Sequence, residues 1–114
     1  MGRIAISIRN AGEGLSAPMD DRFGRADAFL VVERETGEAI DTINNASVAA
    51  SHGAGTGAAN AMRSAEVDVV ISGRFGPKAF DALRALGIEA WIAPPGLTAG
   101  EALRRFQDGV LEPM

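Results

Sequence analysis

No cysteine occurs in the 114 residues of this chain. That excludes disulfides and any zinc or iron–sulfur site held by the chain's own thiolates. Histidine occurs once, at position 52, so no site built from several imidazoles can form. Aromatic residues make up 5% of the sequence against 46% hydrophobic residues. The expected core is therefore aliphatic and rich in alanine, with small side chains that let helices approach a sheet closely. Basic residues are not in excess: the net charge is −4 and the pI about 4.9. A general nucleic-acid binder needs a basic footprint to neutralise phosphates, so nucleic acid is not an expected partner. A local anion site stays open, because backbone N–H groups bind anions without net positive charge. No apolar stretch approaches the ~18 residues of a membrane span. Met1-Gly2-Arg3 leads into a strand-like run rather than an apolar leader. A cytoplasmic protein with no membrane partner is the expectation.

The length suits one domain spanning residues 1–114. "RIAISI" at 3–8 alternates isoleucine with small residues and predicts a first strand. Residues 9–19 hold glycines, an asparagine and a proline and read as a long loop. "AFLVVERE" at 28–35 and "AIDTIN" at 39–44 flank the turn "ETGE" and predict an antiparallel hairpin. Apolar positions 58, 59, 62 and 65 predict a helix over 55–65 with a nearly all-alanine face. "VDVVIS" at 67–72 and "IEAWIA" at 88–93 predict two more strands. Gly76-Pro77 opens a helix that Gly87 stops, and Thr98 with Glu101 forms a T-x-x-E capping box for the last helix. The order β-β-β-α-β-α-β-α predicts an α/β fold: three layers, a mixed five-stranded sheet and helices on both faces.

Three loops carry the chemistry: "MDDRFGRAD" at 19–27, "SHGAGTG" at 51–57 and "SGRFGP" at 72–77. Loops that leave the carboxyl ends of parallel strands line the ligand crevice of open α/β sheets. The second loop precedes a helix N-terminus, where unpaired N–H groups favour an anion. Gly53, Gly55 and Ala58 fit the dinucleotide pattern G-x-G-x-x-A. The preceding "ASVAAS" is a poor strand, however, and no acidic residue ends the next strand to meet a ribose. Asp20 and Asp21 read either as a metal or acid–base pair or as turn residues. Arg22, Arg25 and Arg74 read as an anion clamp or as solvated surface charge. Met19 is a soft ligand or core filler. His52 is a metal ligand or a polar turn residue. "RIAISI" carries no carboxylate, which argues against a nuclease that holds two metal ions.

Taken in order, "DDRFGRADAFLVVERETGE", "NNASVAASHGAGTGAANAM", "VDVVISGRFGPKAFDAL" and "GIEAWIAPPGLTAGEALRRFQDGVL" resemble the dinitrogenase iron–molybdenum cofactor biosynthesis family. That family includes NifX, NafY, the C-terminal domain of NifB and small stand-alone members. The resemblance spans about residues 3–111. It implies a ribonuclease-H-like fold and a non-catalytic role: binding and carrying iron–molybdenum cofactor or a related iron–sulfur cluster. It implies cofactor-assembly or nitrogenase-like proteins as partners. A cofactor-free interaction or regulatory domain of the same fold is the alternative. The histidine that opens the family's H-G-x-G motif corresponds to His52, which becomes the implied metal ligand. Gly53 and Gly55 follow it. F-G-R-A matches Phe23, Gly24, Arg25 and Ala26, and G-x-x-G-P matches Gly73, Gly76 and Pro77. With Arg74, these supply the implied cofactor-binding set: His52, Gly53, Gly55, Arg25, Arg74, Gly73 and Gly76. Arg22 stands where some relatives have histidine.

The resemblance generates a first prediction. His52→Ala removes the one neutral nitrogen ligand the chain offers, so cluster retention after anaerobic reconstitution and gel filtration should fall. The melting temperature should stay nearly constant, since a loop substitution outside the core costs about 0.5 kcal/mol or less. Equal retention by wild type and variant would make His52 a turn residue.

Overall fold

Ile4, Ile6 and Ile8 alternate with Ala5 and Ser7 along β1 (Arg3–Ile8), so the isoleucines share one face of the sheet. The computed structural model describes residues 2–45 and 54–113. They form strands β2 (Ala28–Glu33), β3 (Ala39–Asn44), β4 (Val69–Ser72), β5 (Glu89–Ile92) and β6 (Glu112–Pro113). Among the described residues the α-helices are α1 (Ala54–Ser64), α2 (Pro77–Ala85) and α3 (Ala99–Gln107).

The strand order is β3-β2-β1-β4-β5-β6. β1, β2 and β3 pair antiparallel, with a register shift between Val31 and Val32. β1 pairs parallel with β4, and β4 with β5. The expected sheet is mixed, but it has six strands and not five. The sixth is a two-residue strand in which Glu112 and Pro113 pair antiparallel with Ile92 and Trp91.

Both faces of the central strands are covered, which explains their nearly continuous apolar sequences. Ile4, Ile6, Ile8, Leu30, Val32, Val69 and Ile71 pack with Ala99, Ala102 and Leu103 of α3. On the other face, Ala5, Phe29, Val31 and Val70 pack with Ala58, Ala59 and Met62 of α1 and Ala79 and Leu83 of α2. The core is not purely aliphatic, as composition suggested. The few aromatics are concentrated: Phe23, Phe29 and Phe75 share the second cluster. Phe23 lies between the other two, with ring centroids 5.1 Å from Phe29 and 5.2 Å from Phe75.

The helix boundaries follow their local signals. Gly76 precedes Pro77 at the first position of α2. Gly87 adopts φ 75° just after the helix, a conformation that glycine reaches without steric cost. At α3 the Glu101 N–H donates to Thr98 Oγ1 at 3.2 Å, and the Thr98 N–H donates to Glu101 Oε1 at 2.8 Å. The long loop after β1 contains a 3₁₀ segment, Ala11–Ser16. Its continuation is tied to the start of α3 through Met19 N–H to Leu97 O at 2.9 Å and Ala99 N–H to Ala17 O at 2.8 Å.

Thr98→Ala should break the reciprocal cap at a cost of about 1 kcal/mol. For a chain of this size that lowers the melting temperature by about 4 °C. An unchanged melt would show that the cap contributes nothing to the folded state.

Candidate functional site

Asp20 lies beside Ser7 near the carboxyl end of β1, and Gly73 follows the carboxyl end of β4; these strands are the parallel neighbours at which the strand order reverses. The chain returns to β1 through a bridge between Met19 and Ile8, and the Asp20 N–H donates to Ser7 O at 2.8 Å. Ser7 and Ser72 are fully buried. Ser7 Oγ lies 2.7 Å from the Asp20 carbonyl and 2.7 Å from Ser72 Oγ, and Ser72 Oγ lies 3.3 Å from the same carbonyl. Buried hydroxyls need partners; these two find theirs by fixing the main chain of Asp20. The Asp20 carboxylate accepts the Arg22 N–H at 3.0 Å. Asp20 thus fills the turn role, and Met19 is buried in the core.

The two loops then close on each other. A Cβ on Gly73 would lie 2.9 Å from Asp21 Cα and 3.0 Å from Asp21 O, so only glycine admits this approach. Arg22 and Arg74 form a parallel bridge, and the Phe23 N–H donates to Arg74 O at 3.0 Å. Phe23 and Phe75 anchor the two loops in one core cluster. Each fully buried phenylalanine contributes about 1.5–3 kcal/mol, more than any single surface contact of the loops.

Between the joined loops and the start of α2 opens a cavity of about 490 Å3. Phe23, Pro77 and Ala79 supply apolar wall, and Gly24 and Gly76 complete the lining. Four cations surround it: Arg22, Arg25, Arg74 and Lys78. All four are exposed. None makes an ion pair or side-chain hydrogen bond with another described residue. Among the described residues no carboxylate lines the cavity, although acidic residues outnumber basic ones in the chain by 15 to 11. The helix that starts there has no side-chain cap and no acidic residue in its first turn, so its N-terminal partial charge adds to the positive field.

Of the residues named from sequence, Arg25, Arg74 and Gly76 line the cavity. Gly73 lies at the loop junction against Asp21. Gly55 falls inside α1, not in the turn before it as the dinucleotide pattern would require. α1 packs against both the 23–25 turn and α2. His52 and Gly53 lie outside the described residues. Sequence reasoning missed Lys78, Phe75 and the buried Asn45. Lys78 had a readable signal: it is a cation in the first turn of a helix, where an acid is favoured.

These features define a three-layer α/β domain with its candidate site beyond the parallel-strand ends. The chain belongs to the family described as dinitrogenase iron–molybdenum cofactor, whose model matches residues 2–109. The apo form of the orange protein from Desulfovibrio gigas superimposes with a TM-score of 0.89 at 40% identity, over 100% of this chain and 93% of that one. A solution structure from Thermotoga, described as a candidate NifB protein, gives a TM-score of 0.81 at 33% identity, over 99% of this chain and 93% of that one. An uncharacterized protein of Methanocaldococcus jannaschii is 31% identical over 112 residues, covering 96% of this chain and 89% of the relative.

Gly73 and Gly76 should separate by mutation. Gly73→Ala forces backbone apart and should cost about 1–3 kcal/mol. At Gly76 a Cβ meets nothing within 4 Å and φ is −69°. Gly76→Ser should therefore leave stability unchanged or slightly raised, since serine caps helices. Thermal melts of the two variants compare them directly; equal losses would refute the assignment.

Proposed function

We propose that this protein is a non-catalytic binding and carrier protein for an anionic iron–molybdenum or related iron–sulfur cluster, handled as cargo in metallocofactor biosynthesis. One observation carries the reading: four cations without an ion-pair partner among the described residues line a partly apolar cavity in an otherwise acidic chain. Like charges gathered without counter-charges repel, and a bound anion relieves that repulsion. The chain offers no thiolate, so it can add no cysteine ligand to a cluster. Charge-assisted hydrogen bonds, each worth about 1.5–3 kcal/mol, would supply most of the attraction. His52 is the proposed metal ligand, placed by the family motif. Membership of the iron–molybdenum cofactor family supports a cluster over a simple oxoanion.

The same reading takes the fold as ribonuclease-H-like without nuclease chemistry. Two-metal catalysis needs clustered carboxylates, and the described residues hold no group of three or more His, Cys, Asp or Glu suited to a metal ion. The proposed partners are cofactor-assembly or nitrogenase-like proteins in the cytoplasm. No helix among the described residues is long and apolar enough to cross a membrane.

The test is anaerobic loading with tetrathiomolybdate, a coloured sulfide dianion, followed by gel filtration, absorbance and metal analysis. Wild type should retain colour and metal. A variant with Arg22, Arg25, Arg74 and Lys78 all changed to Gln should bind at least tenfold more weakly, since tenfold is only about 1.4 kcal/mol. Wild-type retention should fall as salt shortens the screening length from about 8 Å at 0.15 M to about 3 Å at 1 M. No retention by wild type of either this anion or a reconstituted iron–sulfur cluster would favour the cofactor-free interaction domain.

A further inference from the structure

Asn45 directly follows β3 and is only 3% exposed. Its Nδ2 donates to Ala26 O at 2.8 Å and to Gly24 O at 3.3 Å. Its backbone N–H donates to Asp27 O at 3.1 Å. The two side-chain acceptors flank Arg25 in sequence. Within its own turn the Arg25 N–H donates to Arg22 O at 3.3 Å, a long hydrogen bond. Asn45 Oδ1, in contrast, is a buried side-chain oxygen without a hydrogen-bond partner among the described residues.

We infer that Asn45 is a positioning residue for the cavity: it fixes the Gly24–Ala26 backbone so that Arg25 faces the bound anion. The inference rests on the proposed anion site. The residue type follows from the geometry. Two carbonyls separated by one residue need two donors from one short side chain, and a primary amide has two. An ionised aspartate has none, and leucine of similar shape would strand both carbonyls. The unmatched Oδ1 points the same way. A buried acceptor without a partner is unfavourable, and the side chain keeps it while using both donors. Arg25 is exposed, so its reach into the cavity depends on how that short turn is held.

A double-mutant cycle tests this. Wild type, Arg25→Gln, Asn45→Leu and the double variant are titrated anaerobically with tetrathiomolybdate by equilibrium dialysis. If Asn45 acts through Arg25, each single change weakens binding about tenfold and the double change about tenfold as well, because coupled residues are not additive. An additive loss of about a hundredfold, or wild-type affinity in Asn45→Leu, overturns the inference. A ligand-free arm separates this inference from the anion reading. Amide hydrogen exchange at residues 24–27 should speed up in Asn45→Leu, while β1 and β4 exchange as in wild type. Faster exchange with no probe bound by wild type would sink the anion site and keep the tether. Unchanged exchange at 24–27 would sink the tether whatever binds. If Asn45→Leu does not melt cooperatively, Asn45→Ser, which keeps one donor, replaces it in both arms with smaller expected effects.

Discussion

Backbone meets backbone at Gly73 and Asp21, and the candidate site depends on that approach. The two loops leave neighbouring parallel strands, so their starting points are fixed by the sheet. Whether they then splay or join is decided by a Cβ that is absent at position 73. Once joined, the loops pair through Arg22 and Arg74 and drive Phe23 and Phe75 into one core cluster. The buried Ser7, Ser72 and Asp20 carbonyl fix one end of the junction. The phenylalanines hold its other side. The cavity is the space left in front of this clamp.

The clamp explains how an exposed cationic group can be well placed. Arginine and lysine side chains lose much rotamer freedom when ordered, up to about 2 kcal/mol each. A site made from them is precise only if their backbones are rigid. Here Arg22 and Arg74 sit on a bridge, Lys78 on the first turn of a helix, and Arg25 on a turn tied to Asn45. The four cations thus have three supports, and the two loops among these are anchored by the buried Phe23 and Phe75. The charge of the candidate site is thus displayed on the surface while the loops that carry it are anchored in the core.

Much of the fold was legible because its signals are local. Period-two isoleucines, the Gly76-Pro77 pair and the T-x-x-E box each fix an element through neighbours within a few residues. β6 was not legible. A Glu-Pro dipeptide has no strand pattern of its own and becomes a strand only by pairing with Trp91 and Ile92. The site was half legible for the same reason. Arg25, Arg74 and Gly76 stand in glycine-marked loops that sequence can flag. Phe75 reads as one apolar residue among many until it meets Phe23. Asn45 looks like a turn residue until its partners, about twenty positions earlier, are known.

The missing cysteine and the cations left unpaired among the described residues bear on one question: how firmly the proposed cargo can be held. Thiolates form coordinate bonds to iron that a receiving protein must break chemically. Arginine and lysine attract through charge and hydrogen bonds, which can be exchanged one at a time. They are also strengthened by the low-dielectric apolar wall behind them. A receiving surface that offers the same cluster thiolate ligands would outcompete such a site without any change in this protein's fold. On the proposed reading, a chain without cysteine is therefore suited to handing a cluster on, and the apolar wall with its ring of cations supplies affinity that is graded by salt and by charge number.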